Sequence, residues 1–171
     1  MSLLHLPESF ACILSARKIM ATVFWDAEGT ALIDYLEHGS TITGTYNTNL
    51  VGKCRAALKE KRRGKLRCSV LFHQDNAPAH TSSQARTAIQ NAGFELLHHP
   101  RYSPDLAPSD FYLFPKLKEF MKGRKFADDE DVIYTASGWL EDQDQLFYNG
   151  IQALEKCWTK CIYVGGDYIE K

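Results

Sequence analysis

The sequence predicts an α/β domain built on a mixed sheet of five strands flanked by helices. Two kinds of segment alternate along the chain. Some show the period-two alternation of apolar and polar residues that is typical of strands, and others show the apolar spacing of helices. The resulting order, β-β-β-α-β-α-β-α, combines a hairpin with strands separated by helices, which favours a mixed sheet. At 171 residues and 44% hydrophobic content, the chain can bury one sizeable core.

The first strands are predicted in "KIMATVFWDAEGTALIDYL" (18–36), as two extended segments joined by a tight turn at residues 27–29. In the first of them, Ala21, Val23 and Trp25 share one face, and Thr22, Phe24 and Asp26 share the other. Asp26 therefore ends a strand beside the turn. The β-prone stretch "STITGTYN" (40–47) predicts a short third strand.

The middle of the chain alternates helices and strands. A helix is expected over 49–61, with Thr48 or Asn47 as its cap, and a strand over 66–72 that delivers Asp75 just past its end. A second helix is expected over 82–93, ended by Gly93, and a further strand over 94–99.

The last third is predicted to be irregular first and then helical. Three prolines in "PRYSPDLAPSD" (100–110) exclude regular structure, and Ser109 is expected to cap a helix that holds Asp110 in its first turn. Pro115 should kink that helix or delay its start. Two more helices are expected around Trp139 and Trp158.

Charge and apolar patterning exclude several classes of protein. The formal net charge of −1 argues against a generic binder of polyanions, although "KEKRRGKLR" (59–67) and "KLKEFMKGRK" (116–125) are locally basic. These runs are either solvated surface or phosphate-contacting patches. No apolar run is long enough to span a bilayer, and no basic segment precedes the apolar N-terminal letters, so neither a membrane span nor a signal peptide is expected.

The five cysteines are scattered and odd in number, which predicts free thiols in a reducing compartment. Cys157 and Cys161 lie four residues apart, as if on one helix face. No second cysteine pair lies near them, so a zinc site is not favoured there.

Three aspartates carry the chemical hypothesis, because each lies at the edge of a predicted element. Asp26 ends the first strand, Asp75 follows the fourth, and Asp110 opens a helix. Ligand sites of α/β proteins form at strand ends. Three carboxylates gathered there would repel one another unless cations share them, and Mg²⁺ or Mn²⁺ are the natural partners. Two such ions about 4 Å apart can activate water and stabilise the leaving oxygen of a phosphodiester.

A rival interpretation of the same stretch, "FHQDNAPAH" (72–80), is a zinc hydrolase site. Its ligands would be His73, Asp75 and His80, with His98 or His99. The stretch lacks the helical His-Glu-x-x-His arrangement, and His73 and Asp75 point the same way only if the strand continues through both. The favoured alternative is that His80 caps or hydrogen-bonds near the site, while His98 and His99 end a strand.

The flanks of the aspartates resemble those of the mariner transposases of the Tc1/mariner superfamily. "HQDNAPAH" and "YSPDLAPSD" place 34 residues between Asp75 and Asp110, which is the family's spacing, and "ATVFWDAEG" resembles its opening catalytic strand. "GFELLHHPRYSPDLAPSDFYLFPKLK" and "GIQALEKCWTKCIYVGGDYIEK" extend the likeness to about nine-tenths of the chain, closest to the irritans-type mariners. The resemblance implies an RNase H-like fold and a two-metal DDE/D nucleotidyl-transfer site with Asp26, Asp75 and Asp110 as its ligands.

The resemblance further implies that metal-bound water cuts transposon ends and that the freed 3′-hydroxyl attacks target DNA at a TA dinucleotide, in the nucleus. Its candidate DNA contacts in this sequence are Asn76, His80, Lys116, Lys118, Lys122, Arg124 and Lys125. A segment over 30–45 would contact the partner subunit of a homodimer.

The expected domain division is a divergent N-terminal segment over 1–18 and a catalytic domain over 19–171, without the helix-turn-helix modules that precede it in the family. The alternative function is an idle, domesticated or decayed remnant that binds DNA or protein without turnover.

Overall fold

The computed structural model describes residues 2–11, 18–98, 100, 103 and 106–165. Its strands are β1 Ser2–Ala11, β2 Lys18–Asp26, β3 Gly29–Tyr35, β4 Val70–Gln74 and β5 Phe94–Leu97. Its helices are α1 Gly44–Lys61, α2 Pro78–Thr81, α3 Ser83–Asn91, α4 Phe114–Met121, α5 Asp129–Glu141 and α6 Asp144–Tyr163. A 3₁₀ turn over Lys65–Arg67 precedes β4, and a π-helical segment over Ser109–Leu113 precedes α4.

The strands form one mixed sheet in the order β3-β2-β1-β4-β5. The strand pairs β3·β2 and β2·β1 are antiparallel, whereas β1·β4 and β4·β5 are parallel. The predicted α/β class with a mixed sheet is therefore confirmed. Because β2 runs opposite to β1 and β4, its C-terminal end lies towards the edge of the sheet where β4 begins.

The predicted set of five strands is wrong in one member. The other four predicted strands form, as one antiparallel hairpin (β2 and β3) and one parallel pair (β4 and β5). The stretch 40–47 is not a strand: the Thr43 side chain accepts the Tyr46 N–H at 3.1 Å and caps α1, which begins at Gly44 instead of residue 49. Capping here outweighs the β-propensity of threonine and isoleucine. The central position of the sheet belongs to β1, which the sequence pattern did not predict.

The sheet is covered by helices on both faces, as the alternation along β2 predicts. Phe24 packs towards α1 and α3 in a cluster with Leu50, Phe72 and Ile89. Val23 and Trp25 pack on the other face, against the π-helical segment and helices α4 to α6. Within the part of the chain that the structure describes, no helix is both long and apolar enough to cross a membrane.

The last third follows the sequence prediction with one change. Pro115 lies in the first turn of α4, directly after the π-helical turn, so it delays the start of the α-helix as predicted. Ser109 does not cap a helix; it belongs to the π-helical segment, and Pro108 precedes it. The two helices expected around Trp139 and Trp158 are α5 and α6.

Candidate active site

Asp75 follows the last residue of β4, where the strand opens into a tight turn. Its Oδ1 accepts the Ala77 N–H at 3.0 Å and is also hydrogen-bonded to Nδ1 of His80. The carboxylate nevertheless keeps about a third of its surface exposed, with a relative accessibility of 32%. Asp75 is thus a fixed carboxylate that solvent, a cation or a phosphodiester can reach.

His80 orients this carboxylate from inside the protein. The ring is completely buried, and α2 holds it in place, because the His80 N–H donates to the Ala77 carbonyl at 2.9 Å. The Gln74 side-chain amide, also buried, donates to the His80 carbonyl at 2.8 Å. Gln74 and His80, one on each side of Asp75 in the sequence, therefore hold its turn rigid.

Asp110 lies in the first turn of the π-helical segment, half-buried. The segment is held on the α4–α6 face of the sheet by Ser109, whose hydroxyl accepts the Trp25 indole N–H at 2.9 Å. On its other side, the Tyr112 ring packs so closely on Gly150 of α6 that an added Cβ would lie 2.7 Å from it. These contacts fix the backbone that carries Asp110.

Asp26 does not lie beside Asp75, so the expected convergence of three aspartates is wrong. It lines a cavity with Ser69 and Val70, the residues at which β4 begins, whereas Asp75 follows the end of that strand. Through Leu4 of β1 the sheet register places Trp25 level with His73, so Asp26 lies two strands away from β4 and about three residues, or roughly 10 Å along the strands, short of Asp75. Asp26 also shares the face of Phe24, opposite the face against which the Asp110 segment packs.

The charge of Asp26 is already compensated by protein groups. Its side chain is completely buried and accepts hydrogen bonds from Arg62 Nε at 3.3 Å and Lys65 Nζ at 3.2 Å. Its Oδ1 also accepts the Glu28 N–H at 2.7 Å. Both cations contact Glu28 as well, so the four side chains form a neutral cluster that ties the loop after α1 to the β2–β3 turn.

These positions test the expected metal site. Asp75 and Asp110 are oxygen donors of the kind that Mg²⁺ and Mn²⁺ prefer. Across the described residues, however, no three His, Cys, Asp or Glu side chains are close enough to hold a metal ion together. The third carboxylate needed for the expected two-ion site is therefore not supplied by Asp26, which is paired with Arg62 and Lys65.

The zinc alternative finds no support in the described residues. His73 is buried in β4, where its ring centroid lies 6.3 Å from that of Trp158, and Nδ1 of His80 is hydrogen-bonded to Asp75. His98 is exposed, and His99 lies outside the described residues. Cys157 and Cys161 both lie on α6, and no disulfide joins the cysteines in the part of the chain that the structure describes.

Most of the candidate DNA contacts lie on the surface, but His80 does not. Complete burial excludes His80 from contact with a macromolecule, so that prediction is wrong. Asn76 is exposed beside Asp75, and the five basic candidates of α4 and the loop after it are all exposed: Lys116, Lys118, Lys122, Arg124 and Lys125. Arg124 lies 3.9 Å over the Phe120 ring, and Lys116 pairs with Glu119.

Sequence reasoning expected His80 to cap or hydrogen-bond near the site without naming its partner, and it missed Arg62 and Lys65. His80 is a positioning residue for Asp75, and Arg62 and Lys65 neutralise Asp26. For His80 a signal exists, because a histidine five residues after a strand-end aspartate can return to it through one short helical turn. For the cations no local signal exists, because 36 and 39 residues separate them from Asp26.

Fold and site together define the class of protein. A mixed α/β domain with an aspartate after a parallel strand, and a second aspartate opening the helical segment beyond the next strand, is the arrangement of DDE/D polynucleotidyl transferases. Comparison with known proteins identifies the family. Residues 7–68 match the family model "Transposase (partial DDE domain)".

Two curated relatives agree with this class. The chain is 36% identical over 158 residues to the Mariner Mos1 transposase of Drosophila mauritiana, an alignment that covers 90% of this chain and 46% of the relative. It is 31% identical over 173 aligned positions to the human histone-lysine N-methyltransferase SETMAR, covering 97% of this chain and 24% of that protein. The chain thus spans less than half the length of both.

Solved structures give the same result. The catalytic domain of Mos1 with raltegravir and Mn superposes with a TM-score of 0.90 at 30% identity, covering 99% of this chain and 84% of that one. The Mos1 paired-end complex with Mn gives 0.88 at 26% identity, covering 99% and 56%. The chain belongs to the mariner family of transposases, and it corresponds to the catalytic domain, with its RNase H-like fold.

Proposed function

We propose that the chain performs metal-dependent phosphodiester hydrolysis and strand transfer on DNA, with Asp75 and Asp110 as its metal ligands. The observation that carries the proposal is the match of nearly the whole chain to the Mos1 catalytic domain, which has been solved with Mn and with Mg. A bound Mg²⁺ or Mn²⁺ would supply Lewis acidity at the phosphodiester.

The chain's own residues would position the ligands. The Ala77 N–H and His80 bind one oxygen of Asp75, which fixes the direction of the carboxylate before any cation arrives. The Trp25–Ser109 hydrogen bond and the Tyr112–Gly150 contact hold the backbone of Asp110. Asn76 and the basic residues over 116–125 are exposed and suit contacts to phosphate.

The DNA partner is proposed from complexes of the relative. Mos1 has been solved in paired-end complexes, one with the left transposon end, and in a strand transfer complex. We propose transposon ends and a TA target for this chain, in the nucleus. Residues 19–171 would be the catalytic part and the segment over 1–18 the divergent part.

A homodimer through residues 30–45 belongs to the same proposal. β3 is an edge strand of the sheet, and the loop that follows it, from Glu37 to Thr41, is exposed. Light scattering after size exclusion, for the wild type and for a variant with the loop over 37–41 replaced by Gly-Ser, tests this. A dimer that survives the replacement would locate the contact elsewhere.

The activity is tested by incubating supercoiled plasmid with the purified chain and Mn²⁺. We expect nicking that falls at least about a hundredfold in Asp75→Ala and in Asp110→Ala, because each removes a proposed metal ligand. Asp142→Ala is the matched control, since Asp142 is an exposed aspartate at the end of α5. Equal nicking by the wild type and Asp75→Ala would identify a contaminating nuclease.

A second function, DNA binding without turnover, is favoured by one observation: the buried Asp26 is neutralised by Arg62 and Lys65. If the chain only binds DNA, duplex DNA should bind in EDTA. The heat measured on adding Mn²⁺ should then be the same for the wild type and for Asp75→Ala. Calorimetric titration of Mn²⁺ into the wild type and Asp75→Ala separates the two functions.

A further inference from the structure

We propose that the last turn of α1 and the loop after it form a second DNA-backbone surface, separate from the candidate active site, with Lys59, Lys61, Arg63 and Arg67 as its phosphate contacts. The inference rests on the proposed function in one respect, that DNA is the partner. The surface lies at the end of the sheet where β4 begins, whereas Asp75 follows the end of that strand. It is also distinct from the basic residues over 116–125.

The loop is rigid because its own backbone and Asp26 hold it. Successive turns are closed by hydrogen bonds from Arg62 to Leu58, from Lys65 to Arg62, and from Cys68 to Lys65. Gly64, with φ of 89°, takes the left-handed conformation that lets the chain reverse between them. The side chains of Arg62 and Lys65 turn inward onto Asp26 and Glu28.

This inward anchoring leaves the remaining charges on the outside. Lys59, Lys61, Arg63 and Arg67 are all exposed, and no ion pair among the described residues includes them. With Glu60 the outer side of the loop carries four cations and one acid, a net charge of +3 in a chain whose formal net charge is −1. The asymmetry is therefore local, as expected for a contact surface and not for a uniformly basic protein.

The phosphodiester backbone suits this surface better than a small anion does. The cavity beside the loop, of about 320 Å³, contains the Asp26 carboxylate in its lining, which opposes a bound anion. Within the sequence over 59–67, Glu60 is the only acid. Helix-dipole compensation accounts for lysines in the last turn of α1, but Arg63 and Arg67 lie beyond the helix end.

The test is binding of a fluorescent 30-base-pair duplex in EDTA, measured by anisotropy over a range of salt concentrations. Lys59→Gln/Lys61→Gln has a matched control in Lys156→Gln/Lys160→Gln, which removes two exposed lysines near the C-terminal end of another helix. Removing one phosphate contact lowers the slope of log affinity against log salt by about 0.9, so we expect a decrease of about 1–2 in the first variant and none in the control.

Two further variants distinguish lost phosphate contacts from a loss of folding, because one of them is expected to strengthen DNA binding. Arg63→Gln/Arg67→Gln should lower the slope by a similar amount, and Glu60→Gln, which removes no phosphate contact, should strengthen binding at low salt about two- to fivefold. Slopes equal to that of the control, or unchanged binding in Glu60→Gln, would overturn the proposal. Because EDTA excludes metal chemistry, this failure is separate from a failure of nicking, which is measured with Mn²⁺ on the Asp75 variants.

Discussion

Opposite ends of the sheet present the same local motif with opposite consequences. Asp26 ends β2 and Asp75 follows β4, and each accepts the N–H of the residue two positions on, from Glu28 at 2.7 Å and from Ala77 at 3.0 Å. At one end two cations surround a fully buried carboxylate; at the other a histidine supports a carboxylate that remains accessible. The turn motif therefore does not distinguish a structural aspartate from a candidate ligand. The surroundings, brought by distant parts of the chain, do.

The largest expected effect comes from Asp26→Ala. Removing this carboxylate leaves Arg62 and Lys65, which are 11% and 21% exposed, with Glu28 alone. Breaking a buried ion pair on one side costs about 3–5 kcal/mol, and the remaining acid and partial exposure lower the expectation to about 2–3 kcal/mol of unfolding free energy. Urea unfolding measures it.

Asp75→Ala is the comparison for that measurement, with an expected loss of about 1 kcal/mol, because one hydrogen-bond partner of His80 is removed from a partly exposed group. In calorimetry the order should reverse: Asp26→Ala keeps Mn²⁺ binding and Asp75→Ala loses it. A stable Asp26→Ala variant that no longer binds Mn²⁺ would contradict the placement of Asp26.

The next effect concerns the support of Asp75. His80→Leu removes the Nδ1 donor from a completely buried site, so we expect a loss of about 1–2 kcal/mol in unfolding free energy and a weaker Mn²⁺ affinity by about tenfold. His80→Asn is the matched control, because its side-chain amide can donate from nearly the same position. Rescue of Mn²⁺ affinity by Asn but not by Leu identifies a positioning role. Equal loss in both would assign His80 to packing alone.

The positions of most strands and the faces of the elements were largely predictable, because they depend on local patterns. The alternation along β2 correctly separated Phe24 from Val23 and Trp25, and four strands and the later helices lie near their predicted positions. The same alternation already assigned Asp26 to the face of Phe24. Grouping it with Asp110 assumed that all strands end at one edge, which holds for parallel strands only.

The wrong prediction about the three aspartates has a physical cause, because the strand directions depend on pairing between segments far apart in the sequence. The direction of β2 relative to β4 depends on β1, whose pairing places Leu4 between Trp25 and His73. No period in the sequence encodes that partnership. The helix start at Gly44 is different, since the Thr43 cap is a local signal that β-propensity masked.

A smaller effect tests the backbone that carries Asp110. In Gly150→Ala the added methyl would lie 2.7 Å from the Tyr112 ring, so the ring or α6 must shift, and we expect a loss of about 1–2 kcal/mol. Gly138→Ala is the matched control in a neighbouring helix: no atom lies within 4 Å of its added Cβ, and helix propensity predicts a gain of up to about 1 kcal/mol. Thermal unfolding of both variants gives the difference. Two gains would mean that Tyr112 does not rest on α6.

The smallest effect is a dependence of stability on alkaline pH at the Asp26 end. Burial, and then the charge of Asp26, raise the pKa of the Cys54 thiol well above its ordinary value. The unfolded chain therefore releases this proton first, so the folded state is fully stable below the unfolded pKa and loses stability as pH rises above it. Between pH 7 and 9 we expect a loss of about 0.5–1 kcal/mol. Tyr35 and Tyr46, whose pKa values are also raised, begin to contribute only near their ordinary value of 10.0.

Urea unfolding between pH 7 and 9 tests this dependence. The loss of stability should be smaller for Cys54→Ala and unchanged for Cys68→Ala, since Cys68 is exposed. The same slope in all three proteins would show that Cys54 is not the cause.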